Sequence, residues 1–178
     1  AAKRRVIRRL AGFKPAGERW TVMAGDLGED MLDPGEFAPL GIAVRGAAYG
    51  CPCCLGNLPL RVKLGRLLRE TAPDRLLLEL PPGTHLETAV ALFRDPLLAP
   101  AITLQAVLYV IDAAGAEAPL PEAVRSELAA ADRVLVADAP AALIEGLGAQ
   151  HPGVRFTANP GELADLIRAG DPAAPRAH

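Results

Sequence analysis

Three strand-length apolar runs constrain this chain most: DRLLLEL at 74–80, LQAVLYVID at 104–112 and DRVLVAD at 132–138. None of them alternates polar with apolar, so each reads as a strand buried on both faces of a sheet. Helical spacing fills the intervals. LPLRVKLGRLLRETAP (58–73) puts Leu60, Leu64, Leu67 and Leu68 on one face and stops before Pro73. HLETAVALFRD (85–95), PEAVRSELAAA (121–131), AALIEGLGAQ (141–150) and GELADLIRAG (161–170) supply the later helices. Upstream, residues 3–13 place Val6, Leu10 and Phe13 on one side of a helix that Gly12 to Gly17 ends, followed by strands at 20–24 and in GIAVRGAA (41–48). A short run, GVRFTA (153–158), completes the alternation. Buried strands joined by helices of about ten residues require right-handed crossovers. The predicted fold is therefore α/β, three-layer, with a mainly parallel sheet between flanking helices.

Composition sets the bounds. A length of 178 residues fits one domain, predicted over 1–170, with DPAAPRAH (171–178) as a frayed tail. The core must be aliphatic, because 51% of residues are hydrophobic and only 4% aromatic. A net charge of −2 gives no support to a nucleic-acid or membrane partner. Lys3, Arg4, Arg5, Arg8, Arg9, Lys14 and Arg19 make the first twenty residues basic, which reads as a solvated helix face rather than an anion site. The longest apolar stretch, 97–111, is broken by Pro100 and Gln105 and falls short of the roughly 18 residues of a membrane span. No signal peptide opens the chain, yet it begins without Met, so residues upstream are expected. An odd number of clustered cysteines is a poor disulfide framework, and the predicted compartment is cytoplasmic.

All three cysteines fall within YGCPCCLGN, at Cys51, Cys53 and Cys54. In an extended segment Cys51 and Cys53 point the same way, Pro52 stiffens the backbone between them, and Cys54 joins if the chain turns at Leu55–Gly56. Adjacent cysteines fit disulfide geometry badly. Three thiolates on one loop suit a soft or borderline cation, Zn²⁺ or Cu⁺. A fourth ligand must come from His85 or His151, a carboxylate, water or another molecule. The competing readings are small apolar residues in a tight loop and vicinal thiols that cycle with a partner.

GCPCC followed by a Leu-rich helix, then DRLLLEL, His85, ALFRDPLLAPAITLQAVLYVIDA and AADRVLVAD, resembles the CobW family of metal-linked P-loop GTPases. The resemblance runs from about Lys3 to Ile167 and implies a P-loop NTPase-like fold that lacks the first strand and most of the phosphate loop. It implies zinc, or another thiophilic divalent ion, held by Cys51, Cys53 and Cys54, with His85 as a further ligand. The nucleotide motifs depart from the family pattern. Lys3 matches the phosphate lysine, but Ala2 replaces a glycine, and Arg4 and Arg5 replace the hydroxyl pair that holds Mg²⁺. A guanidinium has no acceptor for a metal. Asp26 and Glu29 stand in the first switch as acids within reach of a metal, or as a solvated acidic turn. Glu79 matches the second switch, but Pro82 takes the glycine position and has no N–H to give. Asp138, Ala139 and Ala141 replace the residues that select guanine.

The function implied is metal handling with impaired or absent GTP hydrolysis, GTP and Mg²⁺ being cofactors only in the alternative of an active GTPase whose phosphate loop begins upstream. The implied partners are the metal ion, a client metalloprotein and a homo- or heterodimer partner.

Overall fold

A computed structural model describes residues 2–25, 32–47, 58–81, 83–116 and 119–168. The chain divides into two compact units, residues 3–89 and the residues from 90 onward. The first-switch acids Asp26 and Glu29, the cysteines Cys51, Cys53 and Cys54, Pro82 and the 171–178 tail lie outside the described residues.

The first unit opens with helix α1 (Ala2–Ala11), which leads to strand β1 (Trp20–Gly25). Helix α2 (Pro34–Phe37) is a single turn, started by Asp33, whose carboxylate accepts from Gly35 N–H at 2.9 Å, and by proline at its first position. A 3₁₀ turn follows and ends at Gly41, whose φ of 65° suits glycine, before strand β2 (Ile42–Ala47). Helix α3 (Leu58–Thr71) and strand β3 (Arg75–Leu78) complete the run, and helix α4 (Leu86–Phe93) carries the chain past residue 89. The sheet is all parallel in the order β2-β1-β3, with Trp20 opposite both Ile42 and Arg75. On α3 the expected apolar face is present, since Leu60, Leu64 and Leu67 are buried and Leu68 is half-buried.

Strand β1 is enclosed throughout, from Trp20 to Ala24. The Trp20 indole N–H donates to Glu18 at 2.5 Å, and the Arg75 guanidinium lies 5.5 Å from the ring centroid. Glu18 also pairs with Arg75 at 3.4 Å, so one carboxylate ties the entries of β1 and β3 together. Beside it, Asp74 accepts from the Arg19 backbone N–H at 2.7 Å.

The second unit holds strand β4 (Leu108–Asp112), helix α5 (Glu122–Leu128), strand β5 (Arg133–Ala137), helix α6 (Ala141–Gln150), strand β6 (Phe156–Thr157) and helix α7 (Ala164–Arg168). Its sheet is also parallel, in the order β4-β5-β6. Ile111, Ala116, Leu120, Leu128, Val134, Val136 and Leu147 form its core. The α/β class expected from the alternation is what the structure shows, with parallel sheets flanked by helices.

One expectation is corrected. Only β5 of the three apolar runs is fully enclosed beyond its first residue; every residue of β3 is partly exposed, as are Leu108, Tyr109 and Val110 of β4. A continuous apolar run reports coverage of the two faces, whereas enclosure also needs a strand on both edges. Among the described residues β3 pairs only with β1, and β4 only with β5.

Candidate functional site: the start of α1 and the exit of β3

Parallel α/β sheets concentrate their chemistry at the carboxyl ends of the strands. At the end of β3, Glu79 N–H donates to the Met23 carbonyl at 2.9 Å, which continues the pairing with β1 and fixes the backbone of Glu79. Its side chain meets the first turn of α1. Lys3 Nζ lies 3.6 Å from Glu79 Oε1, and Arg4 Nε lies 3.8 Å from Oε2. Lys3 Nζ also donates to the Leu80 carbonyl at 2.6 Å. Two cations seventy-odd residues away in sequence therefore hold one carboxylate and the next carbonyl.

Electrostatics explains the arrangement. The first turn of α1 contains no acid and carries Lys3, Arg4 and Arg5, so its cations sit at the positive end of the helix dipole. Glu79 supplies from β3 the negative charge that the helix start lacks. The triad is unevenly buried: the side chains of Glu79 and Arg4 are 9% and 10% exposed, against 32% for Lys3. Removing one member of a buried pair strands the other, at a cost of about 3 kcal/mol.

Arg4 corrects the reading of the basic start as a solvated face. Arg5, Arg8 and Arg9 are exposed, but Arg4 is buried along with Val6, Ile7 and Leu10. The sequence presents Arg4 as one cation of a basic helix face and as the replacement for a hydroxyl. Its positive role, neutralising Glu79, follows from a long-range contact that local spacing does not encode.

Beyond Glu79 the chain turns. Thr84 N–H and its hydroxyl both reach the Pro81 carbonyl, at 3.3 and 2.8 Å, and Gly83 takes a φ of 75°. His85 follows, exposed, and its carbonyl accepts the first bond of α4 from Ala89 N–H at 3.1 Å. The structure thus brings Lys3 and Glu79 together and leaves His85 exposed six residues downstream. His151, the other candidate histidine, belongs to the second unit, where its ring tilts against Phe156 at 6.1 Å. No group of three His, Cys, Asp or Glu side chains is placed to hold a metal among the described residues. Residues 2–5 (Ala, Lys, Arg, Arg) at the start of α1 offer no side-chain acceptor for a Mg²⁺ ion. Among the described residues no helix is long and apolar enough to cross a membrane.

Parallel sheets with crossover helices, and a lysine-bearing helix start facing a strand-exit glutamate, place the chain in the P-loop-like class of α/β domains. The profile of the CobW/HypB/UreG nucleotide-binding domain matches residues 1–142, and the chain belongs to that family. It is 35% identical over 133 residues to the zinc chaperone YeiR of Escherichia coli (strain K12), a match that takes in 72% of this chain and 40% of that protein. The match therefore spans about two fifths of the length of that relative. No solved structure matches it.

Proposed function

We propose that this chain is a metal-handling protein that carries Zn²⁺ as cargo on Cys51, Cys53 and Cys54. His85 completes the shell, and GTP hydrolysis is impaired or absent. The observation that carries the reading is the intact GCPCC sequence inside the segment matched by the family, in a chain similar to a protein named a zinc chaperone. Three thiolates leave one position of a tetrahedral zinc site for an exchangeable ligand, which suits an ion that is passed on to a client metalloprotein. His85 supports the reading by its exposed position at the start of α4.

The start of α1 disfavours hydrolysis. Arg4 stands where the family pattern has a hydroxyl, and it engages Glu79. Phosphoryl transfer depends on Mg²⁺ and positioned charge, and loss of one such contact costs a few kcal/mol of transition-state stabilisation. Asp26 and Glu29 belong to the proposal only as first-switch acids that could reach a metal.

Zinc titration of the reduced protein against a competing chelator tests the reading. Wild type is expected to bind zinc with release of thiol protons, and Cys51→Ser to weaken binding at least about tenfold. Binding unchanged by substitution of all three cysteines would remove the proposal. The second reading, an active GTP-hydrolysing metallochaperone, is favoured by the family's nucleotide-binding description. Sustained GTP turnover by zinc-loaded protein, lost in Lys3→Met, would establish it instead.

A further inference from the structure

We propose that the outer face of α3, centred on Val62, Gly65, Arg66 and Arg69, docks an acidic amphipathic helix of the protein that accepts the metal. The inference rests on the zinc-cargo reading for the partner's role, while the docking surface stands on the helix itself. Leu60, Leu64 and Leu67 turn one side of α3 into the core. Positions 62, 65, 66 and 69 recur at helical spacing on the opposite side. Two of them are residues that the fold does not call for. Val62 is 60% exposed. Gly65 sits inside the helix, where glycine is the weakest former after proline. Among the described residues a Cβ there would meet, beyond its own helix backbone, only the Arg69 guanidinium at 3.6 Å, an ordinary contact. Packing within the protein therefore does not demand glycine. The missing side chain leaves a notch beside Val62 and Arg69 where a second backbone can come close.

Charge decides the occupant. Helix α3 carries Arg61, Lys63, Arg66 and Arg69 against a single acid, Glu70, in a chain whose net charge is −2. Glu70 accepts from Arg66 at 2.6 Å. That hydrogen bond, and then the charges of Arg66, Arg45 and Arg69, hold its carboxyl below the usual 4.5. Three guanidiniums share one carboxylate, so the face stays positive and favours a partner bearing carboxylates. Val62 and the notch put an apolar centre inside the basic rim, which suits a helix with an apolar stripe. Phosphates of a nucleic acid would answer the arginines but leave Val62 and the notch unused. The place in the chain suits a metal acceptor, since α3 starts at Leu58, four positions after Cys54. Four residues span at most about 14 Å, and Val62 lies roughly 6 Å further along the helix. A partner docked on Val62 is therefore within about 20 Å of Cys54 whatever path the loop takes.

The test adds a labelled synthetic peptide of about 18 residues, a leucine and alanine stripe flanked by glutamates, to the intact reduced protein. Fluorescence anisotropy is expected to show saturable binding. Val62→Ser is expected to weaken it about fivefold, and Arg69→Glu at least as much, with a shallower salt dependence. Gly65→Gln fills the notch and improves the helix, so it is expected to weaken binding about tenfold while raising the melting temperature by about 2 °C. Damage to the fold would lower both. The surface is overturned if wild type does not bind the peptide, or if a peptide of equal charge with serines in place of the leucines binds as tightly. It is also overturned if single-stranded DNA of equal charge binds more tightly than the peptide, or if Val62→Ser and Gly65→Gln bind as wild type does. Zinc titration of the same samples separates failure of the docking face from failure of the cargo reading, because none of the substituted residues is a proposed zinc ligand.

Discussion

The two sheets of this molecule are built alike and end differently. Among the described residues each has three parallel strands with an enclosed strand in the middle, β1 in one unit and β5 in the other. At the exit of β3 the first unit gathers Lys3, Arg4 and Glu79 into a mostly buried ion triad. At the exits of β4 and β5 the second unit has aspartates in local structure: Asp112 starts a 3₁₀ turn by accepting from Ala114 N–H, and Asp138 bends the chain with a φ of 62°. The same architecture thus carries long-range charge contacts at one sheet and local turn chemistry at the other. Fold class alone would not have distinguished them.

The sharpest way to break this comparison is to damage one core and watch the other unit's chemistry. Leu147 is fully enclosed in the second core, and Leu147→Ala is expected to cost about 3 kcal/mol of stability in urea denaturation. Because the proposed zinc ligands all fall within the first unit, residues 3–89, zinc binding by the folded fraction should stay as in wild type. A smaller effect is expected at α2, where Asp33→Ala removes the cap on Gly35 N–H and should cost about 1 kcal/mol in the same assay.

The smallest effect concerns pH. The Arg19 backbone N–H, and then its guanidinium, hold the Asp74 carboxyl below its usual 3.8. A carboxylate with a lowered folded-state pKa stabilises the fold above its ordinary value and loses that contribution as pH falls through the lowered one. Asp74→Asn should therefore lower stability slightly at neutral pH, with the difference from wild type vanishing as pH falls below about 4, as thermal melts across pH would show. Its exposed position keeps the effect small.

How far the sequence speaks depends on the range of each interaction. Elements set by local pattern were legible: α3 by its leucine spacing and its stop before Pro73, β5 by its apolar run, and α6 at the positions its helical segment indicated. The one-turn helix α2 escaped because four residues carry no periodicity, although Asp33 followed by Pro34 is a capping signal in its own right. The half-exposed edges of β3 and β4 were illegible for a different reason. An apolar run records which faces are covered, while strand pairing is decided by segments elsewhere in the chain. The site divides in the same way. Lys3, Glu79 and His85 were singled out by their place in a family pattern, but the role of Arg4 depends on a glutamate 75 positions away.

The most direct test of the central claim is metal and nucleotide analysis of one preparation of the reduced, purified chain. The account predicts about one zinc per chain, lost when Cys51, Cys53 and Cys54 are replaced by serine, and no retained guanine nucleotide with Mg²⁺. Stoichiometric guanine nucleotide and Mg²⁺ with no thiolate-bound zinc would contradict it.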